Sequence, residues 1–215
     1  MLAELLMKHE WRKKEKHIYL PKTQPEIITL KEYNFLTIAG EGNPNSKFFS
    51  EYIGVLYAVS YAIKMTLKKV PKPHGYYDYT VYPLEGVWDI NEEAKKVYEG
   101  KINKDDLVFT LMIRQPNFVN KEFVESMIQL TKEKKPHVLL EKVKFEKITE
   151  GKCVQMMHLG SYDNESETFE VMETFAEKNN LVRPSKVHRE IYLSDFRKVT
   201  PEKLKTVLRF KVTSN

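Results

Sequence analysis

Cysteine is almost missing from this sequence: Cys153 is the one thiol among 215 residues. That excludes a disulfide framework and fits a reducing compartment, so a cytoplasmic location is expected. A single thiol can act as a nucleophile, but Val154, Met156 and Met157 around it favour a core position on a strand. Glycine and proline are scarce as well, at 8 and 10 residues, which excludes collagen-like and low-complexity chains. No apolar run reaches the roughly 18 residues that a spanning helix needs, so no membrane partner is expected. Residues 1–6 are apolar too briefly to make a secretory signal.

Metal and cofactor signatures are missing too. The histidines are His9, His17, His74, His137, His158 and His188, and none shows H-x-H or H-x-x-x-H spacing. No metal site is expected from them. There is no G-x-S-x-G, no P-loop and no G-x-G-x-x-G, since Gly40-Glu41-Gly42 reads as a turn. No cofactor is expected either. What the chain does have is charge: 35 Lys and Arg against 30 Asp and Glu, a net +5 and a pI near 9.0. The signs alternate, as in Glu92-Glu93-Ala94-Lys95-Lys96, and the densest basic run, Arg12-Lys13-Lys14-Glu15-Lys16, is broken by a glutamate. Screened, mixed charge without a reading motif describes a solvated surface, so no specific nucleic-acid partner is expected. With 41% hydrophobic residues, the chain can bury an ordinary globular core.

Two stretches share one order of elements. In the first, residues 35–40 read as a strand, Gly42-Asn43-Pro44-Asn45 as a turn and Ser46 as a helix cap. Phe49, Tyr52, Ile53, Leu56 and Tyr57 then form one apolar helical stripe, ending before Pro71. Residues 76–83, rich in tyrosine, and 107–113 read as further strands. In the second, 153–159 is a strand, 160–164 a turn, and Phe169, Met172 and Ala176 mark the helix; 187–193 and 204–212 follow as strands. Gly42 and Gly160 lie 118 residues apart, and Tyr82 and Tyr192 lie 110 apart.

The expected fold class is therefore α+β. A duplicated β-α-β-β repeat should form one pseudo-twofold antiparallel-sheet domain over residues 1–215, with a central cleft and helices on one side. Its expected parts are an N-terminal extension over about 1–25, a first repeat over about 26–118, a linking helix over about 119–135 and a second repeat over about 145–215. Residues 85–106 read as a polar insertion, helical around 92–98. Asn120 reads as the cap of the linking helix, with Phe123, Met127 and Leu130 as its buried face.

Alternation along residues 187–193 puts His188, Glu190 and Tyr192 on one face and Val187, Ile191 and Leu193, with Arg189, on the other. If the apolar set faces the helices, a histidine, a carboxylate and a phenol stand on the open face. Either that face is solvated, or it lines a cleft where a carboxylate among aromatics binds cations or acts as a base. The large tyrosine argues against full exposure. Asp78, Thr80 and Tyr82 share a face of the matching strand. Trp88 is either a core plug or a ring stacked over a ligand. Arg114, which ends a strand with Met112, is either a structural ion-pair residue or a ligand clamp.

The runs Glu10-Trp11-Arg12-Lys13-Lys14-Glu15-Lys16, Tyr19-Leu20-Pro21-Lys22 and Gly40-Glu41-Gly42-Asn43-Pro44-Asn45 open a longer pattern. It continues through Gly54-Val55-Leu56-Tyr57, Met112-Ile113-Arg114-Gln115-Pro116 and Cys153-Val154-Gln155-Met156-Met157-His158. It ends with Glu190-Ile191-Tyr192-Leu193-Ser194-Asp195 and Pro201-Glu202-Lys203-Leu204-Lys205-Thr206. In these runs the chain resembles the GyrI-like small-molecule-binding family, the effector-binding domains of multidrug-sensing transcription activators. It is most similar to the stand-alone bacterial and archaeal members. The resemblance implies a duplicated β-α-β-β fold with a cleft between the halves and the glutamate of the E-I-Y-L-S-D motif, here Glu190, at its centre. Drug-sensing members hold cationic aromatic compounds with that carboxylate and the rings around it. Some stand-alone members look like hydrolases that open the strained cyclopropane ring of DNA-alkylating natural products. The family's DNA gyrase inhibitor binds protein instead. Phe196 departs from the frequent proline after Ser-Asp.

The expected function is that of a stand-alone protein capturing flat hydrophobic or cationic aromatic xenobiotics in a glutamate-centred aromatic cleft. Hydrolysis of strained, cyclopropane-type electrophiles is the reaction the resemblance implies. Glu190 is the expected base, Tyr192 the positioning or proton-donating group, and His188 a second proton carrier. Trp88, Tyr82, Thr80, Met112, Arg114 and Met157 are the expected ligand-lining residues. Two other classes stand beside this one. One is a protein-binding regulator or inhibitor; the other is an effector-sensing partner of a separate DNA-binding chain, since this chain has no room for such a module of its own.

Overall fold

The computed structural model describes residues 8–100, 102–195 and 198–214, so Phe196 lies outside the described residues. Two short helices come first, α1 (Trp11–Lys14) and α2 (Lys16–Tyr19). They are followed by β1 (Glu26–Glu41), α3 (Lys47–Leu67), β2 (Leu84–Ile90), α4 (Glu92–Lys96) and β3 (Leu107–Gln115). Helix α5 (Lys121–Lys134) leads to β4 (Lys144–Leu159), α6 (Glu165–Lys178) and the short β5 (Leu181–Val182). The chain continues through β6 (His188–Tyr192), β7 (Lys205–Lys211) and β8 (Thr213–Ser214). The fold is α+β, and these strands pair antiparallel. No helix among the described residues is long and apolar enough to cross a membrane.

The order β-α-β-β occurs twice, as β1-α3-β2-β3 and as β4-α6-β6-β7. The outer strands pair alike, β1 with β3 and β4 with β7. The turn glycines also do the same work. Gly42 has φ +100° and Gly160 φ +125°, conformations that residues with side chains rarely adopt. Each donates its N–H to the carbonyl at the start of its repeat's last strand, Leu107 at 2.7 Å and Leu204 at 3.1 Å.

The chain divides into two compact units. The first takes Met1–Trp11, Tyr33–Tyr82 and Ile90–Ile148. Within it α3 buries Phe49, Tyr52, Val55, Leu56, Val59 and Ile63. The stripe read from sequence is thus turned slightly, because Ile53 and Tyr57 stay half-exposed while Val55 and Val59 go in. Phe49 and Tyr52 meet the edge of Phe109 at 5.1 and 5.4 Å between ring centres. Asn120 caps α5 as expected, its side chain accepting from the Phe123 N–H at 2.9 Å. The buried face of α5 is Val124, Met127 and Thr131, one position round from Phe123 and Leu130.

Residues 76–83 are not a strand. Their backbone makes a single bridge, between Tyr79 and His9, through His9 N–H to the Asp78 carbonyl at 2.6 Å and Thr80 N–H to the His9 carbonyl at 2.9 Å. The tyrosines serve packing rather than a pleat: Tyr76, Tyr77 and Tyr79 gather around Phe118 at 5.2, 5.0 and 6.1 Å. The strand begins after Pro83, inside what reads by composition as a polar insertion.

The second unit takes Arg12–Glu32, Pro83–Asp89 and Thr149–Asn215. Its sheet runs β2-β6-β7-β4. Helix α6 covers one face, where Met172 and Ala176 join Val154, Leu208 and Phe210 in an apolar core. The other face carries buried charge. Arg189 reaches Glu85 at 2.9 Å and Glu150 at 3.1 Å, and Arg209 reaches Glu150 at 3.1 Å and Gln155 at 2.7 Å.

Candidate functional site

Glu190 sits in the middle of β6, and cross-strand partners share its face. Gly86 of β2 lies opposite it on one side and Leu208 of β7 on the other. Since Leu208 belongs to the core under α6, Glu190 faces α6, not away from it. This reverses the reading in which the apolar residues of β6 face the helices. The physical reason is the ionic network: Arg189 pairs with Glu85 and Glu150, so its face of β6 is filled by matched charge rather than by α6. His188 confirms the orientation, its ring meeting the edge of Phe169 on α6 at 4.7 Å.

On that helix-covered face several side chains converge. Trp88, opposite His188 in register, donates its indole N–H to the Tyr192 hydroxyl at 2.7 Å. Tyr192 in turn hydrogen-bonds Glu190. Tyr162 meets the Tyr192 ring edge-on at 6.0 Å. His188 Nε2 lies 3.2 Å from Glu190 Oε1, and Nδ1 lies 3.2 Å from the Lys186 carbonyl. Glu165, in the first turn of α6, reaches Glu190 from the helix and shares a hydrogen bond with it. Glu165 and Glu190 are each only 8% exposed.

Burial and charge act together here. Burial first, and then the charge and hydrogen bond of Glu190, raise the Glu165 carboxyl well above the usual carboxylate range. Burial, followed by the neighbouring carboxylates, also raises the phenols of Tyr162 and Tyr192. Such a set can exchange a proton, hold a cation or accept donors from a polar ligand. The donor atoms of Glu165, His188 and Glu190 all lie within 4.8 Å of one another, so the same three residues also have the spacing of metal ligands. Histidine spacing along the chain carries no sign of this, because two of the three donors are carboxylates.

Of the residues read from sequence, Glu190, Tyr192, His188 and Trp88 are brought together in the second unit. Met157 is not: it pairs with Val207, which puts it on the sheet face away from Leu208 and Glu190. Tyr82, Thr80, Met112 and Arg114 belong to the first unit. There Arg114 lies over the rings of Tyr33 and Tyr82 at 3.6 and 4.6 Å, and Met112 and Tyr82 are buried. Glu165 and Tyr162 escape a reading of the sequence. An acidic residue in a first helical turn is ordinary end chemistry, and nothing local tells it from a solvated cap.

The model of the family described as the GyrI-like small molecule binding domain matches residues 23–213. A crystal structure described as a hydrolase from Listeria innocua is 37% identical, with a TM-score of 0.85 over 96% of this chain and 100% of that one. An uncharacterized conserved protein from Listeria innocua is 39% identical, with a TM-score of 0.85 and the same coverage. The C-terminal domain of EcmrR is 12% identical, with a TM-score of 0.55 over 89% of this chain and 98% of that one, a likeness of fold alone. No curated protein matches the chain.

Proposed function

The chain belongs to the GyrI-like small-molecule-binding family, and from that premise we propose that it captures flat hydrophobic or cationic aromatic small molecules at Glu190. One observation carries this reading. Carboxylates buried for structural reasons in the second unit are matched by guanidinium groups, Glu85 by Arg189 and Glu150 by Arg189 and Arg209. Glu190 and Glu165 are as deeply buried, yet among the described residues neither lysine nor arginine pairs with them. They face Trp88, Tyr162, Tyr192 and Phe169 instead. An unmatched carboxylate among rings is costly for stability and suited to a cationic or hydrogen-bonding guest.

The Listeria innocua relative described as a hydrolase supports a catalytic extension at the same residues. Glu190 takes a proton from a water, whose oxygen bonds to the strained carbon of a cyclopropane-type electrophile. The ring C–C bond breaks, its electron pair passes to the conjugated acceptor, and Tyr192 supplies the proton that quenches the anion. Glu190 then returns its proton to Tyr192. Glu165 and His188 flank Glu190, His188 Nε2 at 3.2 Å.

The test compares wild type with Glu190→Gln, which keeps the shape and removes charge and base. Calorimetric binding of tetraphenylphosphonium should weaken by on the order of 10-fold or more, while a flat neutral ligand changes little. With a cyclopropane-containing substrate, formation of the product heavier by one water should fall by on the order of 10²-fold. Unchanged binding and turnover in a folded Glu190→Gln protein would remove Glu190 from the site.

A further inference from the structure

The arrangement around Glu190 brings lone pairs together. His188 Nδ1 faces the Lys186 carbonyl at 3.2 Å, and in the tautomer whose Nδ1–H donates to that carbonyl the lone pair is on Nε2. Nε2 lies 3.2 Å from Glu190 Oε1. Glu165 Oε1 is buried and has no hydrogen-bond partner, in a residue 8% exposed. Three such groups converging away from water are satisfied either by shared protons or by a cation bound between them. The guanidinium groups that fill this need elsewhere in the unit, Arg189 and Arg209, are engaged on the other face of the sheet.

We propose that Glu165, His188 and Glu190 bind one divalent transition-metal ion of the zinc class. Donors about 2.0–2.2 Å from a tetrahedral zinc lie roughly 3.3–3.6 Å apart, close to the 3.2 Å between His188 and Glu190. The Lys186 carbonyl is the outer-shell partner that fixes a ligating imidazole in its tautomer. One imidazole with two carboxylates suits zinc, cobalt or nickel. It does not suit magnesium or calcium, which take about six or more oxygens. The ligands come from two elements, since α6 supplies Glu165 while β6 supplies His188 and Glu190. Three protein ligands leave a position open to water or to a donor atom of a guest. The site stands on the geometry of these residues and not on the small-molecule reading, although a bound metal and an organic cation would contend for the same carboxylates.

The test uses the full chain, stripped with a chelator and titrated with zinc chloride by calorimetry, with cobalt(II) as a visible-absorbance probe. The expected result is one ion per chain and intense cobalt absorption of tetrahedral character. Glu165→Gln and His188→Ala should each weaken binding by about tenfold or more, with circular dichroism confirming that both remain folded. Magnesium chloride should produce no saturable heat. No stoichiometric uptake, or equal uptake by wild type and both variants, overturns the proposal. Tetraphenylphosphonium binding to the metal-free protein is measured alongside, so that loss of the metal site and loss of the ligand site are read separately.

Discussion

Trp88 lies opposite His188 across the strand pair and donates its indole N–H to the Tyr192 hydroxyl at 2.7 Å. A phenol that accepts from an indole is better able to donate onward, so Trp88 helps aim the Tyr192 proton at Glu190. Trp88→Phe keeps most of the ring and removes only that N–H. Ligand affinity should fall two- to tenfold, matching the roughly 0.5–1.5 kcal/mol of one hydrogen bond, with the fold intact by thermal melting. A normal affinity in a destabilised protein would make Trp88 a packing residue instead. Cys153 offers a simpler expectation. Burial, with a contribution from the Glu150 charge, pushes its thiol up to about 12, so almost no thiolate exists near neutrality. Iodoacetamide should leave the native protein unlabelled at pH 8 by mass spectrometry and label it fully in denaturant. The two glutamates differ in how far sequence reveals them. Glu190 is legible because a period of two sorts its strand into faces and its motif is a family mark. Glu165 acquires its meaning only when α6 docks over β6, a long-range event with no local signature.

Among the elements, α5 shows how local chemistry sets an end. Its N-terminal amides need partners, and Asn120 supplies one by accepting from the Phe123 N–H at 2.9 Å. Asn120→Ala should cost about 0.5–2 kcal/mol, seen as a lower urea midpoint with an unchanged slope. Capping of this kind is legible because all of it lies within four residues. The tyrosine segment shows the opposite case. Residues 76–83 have the composition of a strand, yet a strand needs a partner ladder, and among the described residues only His9 bridges to Tyr79. The rings pack around Phe118, a tertiary demand that overrides propensity. β2 is misjudged for the converse reason. Its sequence, with Glu85, Gly86 and Asp89, looks polar, but Glu85 is buried against Arg189, so charge pairing does what apolar packing does elsewhere.

Over the whole chain, the duplicated order of elements is legible because both turns require glycine at positive φ, at Gly42 and Gly160. The buried ion network is not legible, because its members come from β2, β4, β6 and β7 and look like surface charges in the +5 composition. Within it, Glu150 makes one distinct contribution to the response to acid. Burial by itself would raise the Glu150 carboxyl, but the guanidinium groups of Arg189 and Arg209 outweigh burial and hold it below the usual range. A carboxyl lowered in the folded state contributes stability that is fully present above its unfolded value, about 4.3. As the pH falls below that value, the unfolded chain takes up a proton that the folded chain refuses, and the contribution fades until it is gone below the folded pKa. Glu150→Gln has no such proton to take up. At pH 6 the variant should be less stable by about 3–5 kcal/mol, since two buried guanidinium groups lose a shared counter-charge. Between pH 6 and pH 3 wild type should lose more stability than the variant, so their urea-unfolding curves should converge toward acid. Parallel pH dependences would mean that Glu150 titrates alike in the folded and unfolded chains, and that its two arginines hold it by shape rather than by charge.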